Sequence, residues 1–277
     1  MKYTIFLITI IFYSTTAFSQ YYYNDIIATQ QSNAQHLLLK ANKIREVKAI
    51  SKEADNSVVE GFMLQQEINK DASKIITVST VSSRVVSTLT SLYDKEKISK
   101  TKEESVNVLN IVDYVYDANG ILHTITSATT DTSIGTFSTE THVWMYNNKN
   151  QPIQMLKIKD NKDTTYIQFV LDEKGIVIEE HWKKRAKNLE SYYYYYNDKN
   201  NITDIVRFNT RARKMLPDFM YEYDEKNRIK QMIQVLAGGS NYNTWRYRYN
   251  ENGLKQTEVC YDKQKKLVGS IEYVYTN

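Results

Sequence analysis

Two histidines offer the first hint of chemistry in this chain. A hairpin centred near residue 132 would set His123 and His142 opposite each other on neighbouring strands. Two imidazoles can grip a transition metal, but zinc sites take three or four protein ligands and no third stands nearby. No metal site is expected, and His36 and His181 sit in no motif. Glu179 and Glu180 are consecutive, so on a strand they point to opposite faces and cannot flank one glycosidic bond. No serine-nucleophile, zinc-protease or phosphate-loop pattern occurs, and the lone Cys260 has no base beside it. Neither an enzyme nor a cofactor is expected.

Binding is the chemistry left open. Trp144 and Trp245, with the tyrosines around them, have the flat apolar surface that stacks on sugars. The competing reading is core. Burying seven such rings at roughly 200 Å² each is worth about 35 kcal/mol gross, and exposing that area would far exceed what monomers tolerate. Core is favoured. A second candidate is a basic edge, with Lys183, Lys184, Arg185 and Lys187 in one turn and Arg211, Arg213 and Lys214 in the next. An anionic glycan or lipid head group could dock there, although solvated turns that discourage edge association explain the same residues.

A repeat must position all of these. Tyr116, Tyr146, Leu171, Tyr196, Tyr223, Tyr249 and Tyr275 recur at about 26 residues, with Ile68 and Tyr93 as degenerate earlier copies. Asp or Asn follows each of the seven except the last, as at Asp117 and Asn250. Three positions further on comes Gly120, Asn150, Gly175, Asn200, Asn227 or Gly253. Gly and Asn tolerate the left-handed backbone, and Asp or Asn opens a type I turn, so the unit is a β-hairpin. The same turn chemistry accounts for the recurrent Asp and Asn without calcium. Two residues before each anchor stands an aromatic: Tyr114, Trp144, Phe169, Tyr194, Tyr221, Tyr247, Tyr273. Alternation puts these on the anchor's face. Around residues 143–195 the opposite face is apolar too, which calls for a cover: the N-terminal segment, a fold-back of the sheet, or a partner.

Hairpins in series predict an all-β protein, a long antiparallel meander of about sixteen strands. A twisted sheet of that width curls, so a curved, spiral or partly closed sheet over residues 44–277 is expected, with a β-propeller-like arrangement as the alternative. Residues 20–43 carry no hairpin signal, and the run Leu37 to Leu39 is placed as a short helix or strand capping the first edge. Residues 1–19 read as a signal peptide: Lys2, a short apolar core, then Ala17 and Ser19 before the cut. That core is too short to span a bilayer, and no transmembrane segment follows it. At 277 residues, 42% apolar and 25% charged, the composition is globular. A formal charge of +4 is too small to imply nucleic acid. One cysteine excludes an internal disulfide.

The motif in YDANGIL, YDEKNRI and YNENGL resembles the YD repeat of RHS-type secreted and cell-surface proteins, over about residues 60–275. That resemblance implies β-sheet shells or stalks that bind or enclose other molecules. The chain is shorter than such proteins, has few glycines and carries no toxin domain. The expectation is an exported, non-enzymatic β-repeat protein that binds or scaffolds at the cell envelope, with a glycan or envelope protein as partner. A glycan-processing hydrolase and a purely structural envelope component are the alternatives.

Overall fold

The computed structural model describes residues 21–209, 213–236 and 241–277. The expected leader at 1–19 and Arg211 lie outside the described residues. One helix, α1 (Asn24–Ala41), leads into β1 (Glu46–Glu53), β2 (Met63–Ile68), β3 (Lys74–Val81), β4 (Arg84–Asp94), β5 (Lys97–Ser105) and β6 (Val108–Tyr116). There follow β7 (Leu122–Asp131), β8 (Thr136–Tyr146), β9 (Pro152–Lys159), β10 (Asp163–Leu171), β11 (Val177–Lys184) and β12 (Lys187–Tyr196). The chain ends with β13 (Ile202–Asn209), β14 (Lys214–Tyr223), β15 (Ile229–Val235), β16 (Tyr242–Tyr249), β17 (Lys255–Tyr261) and β18 (Leu267–Thr276).

Every strand is antiparallel to the next, and β1 pairs with both β2 and β18, so the sheet is a closed 18-stranded barrel. Full closure corrects the expected curved, spiral or only partly closed sheet and the propeller alternative alike. Nine anchors each end a strand that a partner strand accompanies, which makes eighteen strands rather than about sixteen. Closure leaves no unpaired edge, a stronger solution than spiralling. Along the seam Ala49 faces Tyr273 and Glu53 faces Gly269. A Cβ on Gly269 would sit 2.8 Å from the Lys52 carbonyl oxygen, so only glycine fits there.

The repeat chemistry appears as expected. Asp172 Oδ1 accepts the backbone N–H groups of Lys174 at 3.0 Å and Ile176 at 2.8 Å, and Gly175 takes φ +82°. Asn197 does the same for Lys199 and Asn201, with Asn200 at φ 60°. All these tight turns lie on one rim. From Tyr116 on, each anchor tyrosine hydroxyl then ties its hairpin to the one before: Tyr146 donates to the Leu122 carbonyl at 2.6 Å, and Tyr223 to the Ile202 carbonyl at 2.7 Å. The aromatic column faces inward, with Trp144, Phe169 and Tyr194 buried, whereas Val115, Met145 and Tyr195 of the alternate column are exposed.

Helix α1 contains no Gly or Pro, and Lys43 in the left-handed conformation (φ 57°) turns the chain out of it into β1. It touches inward-facing groups around the whole ring: Tyr93 on β4, the Ile98 amide on β5, His142 on β8 and the turn at Gly253. A helix with such neighbours lies inside the barrel. Residues 21–43 therefore plug the lumen at the tight-turn rim, and there is no first edge for them to cap. Leu39 closes this end against Ile68, Ile75 and Leu254.

Candidate functional site

The inner wall changes character with height. Next to the tight-turn rim it is aromatic and aliphatic, packed on Tyr21 and Tyr22 at the head of α1. Towards the other rim the inward positions become Asn110, Ser127, Thr129, Ser138, Glu140 and Lys157, all partly solvated. Asn110 Oδ1 accepts Ser127 Oγ at 2.9 Å and Thr129 Oγ1 at 3.1 Å. The lumen is thus a cup with polar sides, floored by α1 and the aromatic layer.

Glu180 fastens the floor. Its carboxylate accepts Tyr22 N–H at 2.7 Å, Tyr23 N–H at 2.9 Å, Trp182 Nε1–H at 2.5 Å and Tyr194 O–H at 2.6 Å. Two of those donors precede α1, so the carboxylate also complements the helix N-terminus. Burial pushes the Glu180 carboxyl above the ordinary range, while the four donors pull the other way. Glu179 points outward to His181, as strand alternation requires.

Beside this runs a chain of charges, Asp25, His142, Glu140 and Lys157. His142 Nδ1 lies 2.6 Å from Asp25 Oδ2 and Nε2 lies 3.0 Å from Glu140 Oε1; Lys157 Nζ is 2.9 Å from Glu140 Oε2. Burial alone would lower the His142 pKa, but the two carboxylates reverse this and hold it up to about 9. For Glu140 burial acts upward, yet His142 and Lys157 bring the carboxyl down to about 2. Lys157 also sits over the Tyr22 ring, 5.2 Å from its centroid. Strands β8 and β9 and the plug are thereby tied electrostatically.

The residues singled out from sequence fare unevenly. Trp144 is 1% exposed and stacked on Phe169, with its indole N–H buried and unpartnered, so it belongs to the core. Trp245 faces the lumen half-buried, opposite Cys260 and Met232, and its indole N–H also finds no acceptor. Lys183 projects outward; Lys184 is held by Asp163; Arg185 and Arg213 are exposed in turns with φ 48° and 51°. His123 and His142 do not face each other. The β7–β8 register pairs His142 with Ile125, and His123 sits exposed at a bulge against Thr124. Among the described residues no group of three or more His, Cys, Asp or Glu could hold a metal. In sequence, Glu180 stands out only as facing away from Glu179, and Trp182 not at all; the bulge opposite Leu171 shifts the alternation, so that both share the inward face with Val177, which parity alone would not give.

No protein-family model matches this chain, and no curated protein does. Among solved structures, a porin-like protein from Bacteroides uniformis is similar at 10% identity and TM-score 0.39, covering 84% of this chain and 98% of its own. A porin-like protein from Bacteroides vulgatus aligns at 12% identity and TM-score 0.28, over 84% and 98%. The TcdB2-TccC3-Cdc42 structure aligns at 12% identity and TM-score 0.35, over 81% of this chain and only 14% of that one. Likenesses at such scores carry no conclusion about what this chain does.

Proposed function

We propose that this protein is an exported, non-enzymatic binding module of the cell envelope that takes a neutral glycan in its lumen. The observation that carries the reading is the change of the inner wall from rings to hydrogen-bonding side chains at a common height. Trp182 and Trp245 stand half-buried at that boundary, five strands apart around the barrel, where a sugar ring can stack. The Asn110, Ser127 and Thr129 group above them supplies the short donors and acceptors that read hydroxyls. The nearby charges are committed to one another, which suits orientation of a neutral ligand better than proton transfer: a carboxyl held at about 2, like Glu140, is a poor acid at neutral pH.

The outer wall supports work in water. Lys100 and Lys102 on β5 and Arg246 on β16 point outward at mid-strand, where each Lys or Arg would cost ~2–4 kcal/mol at a bilayer midplane. No described helix is long and apolar enough to cross a membrane, which leaves barrels unaddressed. Titration calorimetry against a panel of neutral oligosaccharides tests the reading. Binding to at least one is expected, weakened about tenfold or more by Trp245→Leu and by Asn110→Ala with near-UV circular dichroism unchanged. A wild-type protein that binds none of the panel, or variants that bind as tightly, would sink it.

A further inference from the structure

The mouth of the cup is electrically lopsided. The β11–β12 and β13–β14 turns are neighbours on that rim and carry Lys183, Arg185, Lys187, Arg213 and Lys214, all exposed. Among the described residues no carboxylate answers them: Asp163 is held by Lys184, and Glu190 turns inward to Arg207 at 3.8 Å. Eight strands further round from the β11–β12 turn, the loop between β1 and β2 is acidic instead, with Glu53, Asp55 and Glu60 exposed. The tight-turn rim mixes signs within each turn, as in Asp224, Glu225 and Lys226. Apolar side chains are set among the cations. Phe208 faces Met215 across β13 and β14, and Leu189 stands just beyond them towards the mouth on β12. Arg207 pairs with the inward Tyr192, so alternation turns Phe208 outward, and Phe208, Met215 and Leu189 are 48%, 39% and 48% exposed. We propose that this arc of the rim docks the protein on an anionic phospholipid surface.

The two kinds of residue ask two things of one partner. Beside an anionic leaflet each Lys or Arg is worth roughly fivefold in affinity. Rings and aliphatic chains at the same level enter the boundary between head groups and acyl chains. A soluble polyanion would satisfy the cations and leave Phe208, Met215 and Leu189 in water. The turns project along the barrel axis, so a flat surface meets both of them whatever the curvature of the wall. That surface repels the loop of Glu53, Asp55 and Glu60, which stays lifted and leaves the cup open to solvent. Contact is peripheral, because Lys100 and Arg246 on the wall below remain in water.

Flotation with vesicles of about 30% phosphatidylglycerol in phosphatidylcholine, at about 0.1 M salt, reads the outcome. The wild type should float with these and stay behind with pure phosphatidylcholine. Lys187→Glu combined with Lys214→Glu should cut vesicle affinity about thirtyfold or more. Lys149→Glu combined with Lys199→Glu makes the same charge change on the tight-turn rim, beyond a Debye length, and should leave affinity within about twofold. Phe208→Ser, with unchanged circular dichroism, should lower it about fivefold while retention on heparin, a soluble polyanion, stays the same. A wild type that floats with neither vesicle, or equally with both, overturns the proposal. So do equal losses from the two charge pairs, or a Phe208→Ser variant that binds vesicles as tightly as the wild type. Glycan binding in the lumen uses other residues and can fail or succeed independently.

Discussion

The carboxylate of Glu180 accepts the backbone N–H of Tyr22 at 2.7 Å, across 158 residues of sequence. It joins β11 to the residue two before the plug helix. Glu180→Leu would leave four buried donors without an acceptor, and each orphaned donor costs ~1–3 kcal/mol. The variant should lose at least ~3 kcal/mol and melt roughly 6–12 °C lower. Glu180→Gln, which keeps one acceptor oxygen, should fall between. Thermal melts check this, and a Leu variant melting with the wild type would show that the floor does not depend on Glu180.

The charge chain predicts a pH window. The His142 pKa is raised from 6.5 to about 9, so its stabilisation is complete below pH 6.5 and is lost as pH rises through about 9. The Glu140 pKa is depressed from 4.5 to about 2, so its share is complete above pH 4.5 and is lost as pH falls through about 2. Melting temperature should therefore decline between pH 7 and pH 10, and His142→Gln should flatten that decline. Equal alkaline slopes in the two proteins would refute the assignment.

Tyr223→Phe deletes one of the hydroxyls that lock a hairpin to its predecessor. Removing the bond to the Ile202 carbonyl should cost about 1 kcal/mol, and amide exchange should quicken around the β12–β13 turn rather than throughout the barrel. Urea unfolding and hydrogen exchange measure the two effects separately.

Cys260 faces the lumen at 2% exposure, and burial first, then Asp262, pushes its thiol up to about 12. A thiol reagent should leave the native protein unlabelled for hours and react at once in denaturant. Rapid native labelling would mean that the barrel opens near β17.

Much of this was legible in the sequence because hairpin chemistry is local. Asp172, Gly175 and the aromatic column report their own turn and face without help from distant residues. Closure is different: the same rhythm builds an open or a closed sheet, and only the pairing of Ala49 with Tyr273 decides. The plug was hidden for the same reason. Its partners, Tyr93, His142 and Glu180, form one surface only after the ring has shut, so residues 20–43 have no complementary pattern in sequence. Trp144 and Trp245 look alike as letters, yet one is sealed beneath Phe169 and the other borders the cup.

The seam between β1 and β18 joins residue 46 to residue 276. Until residue 276 is in place that pairing cannot form, and the sheet stays open between β1 and β18. Such long-range pairing is slow to find. In the interval an unmatched strand is on offer at each end, which makes the time before closure the period when a holding chaperone has most to protect.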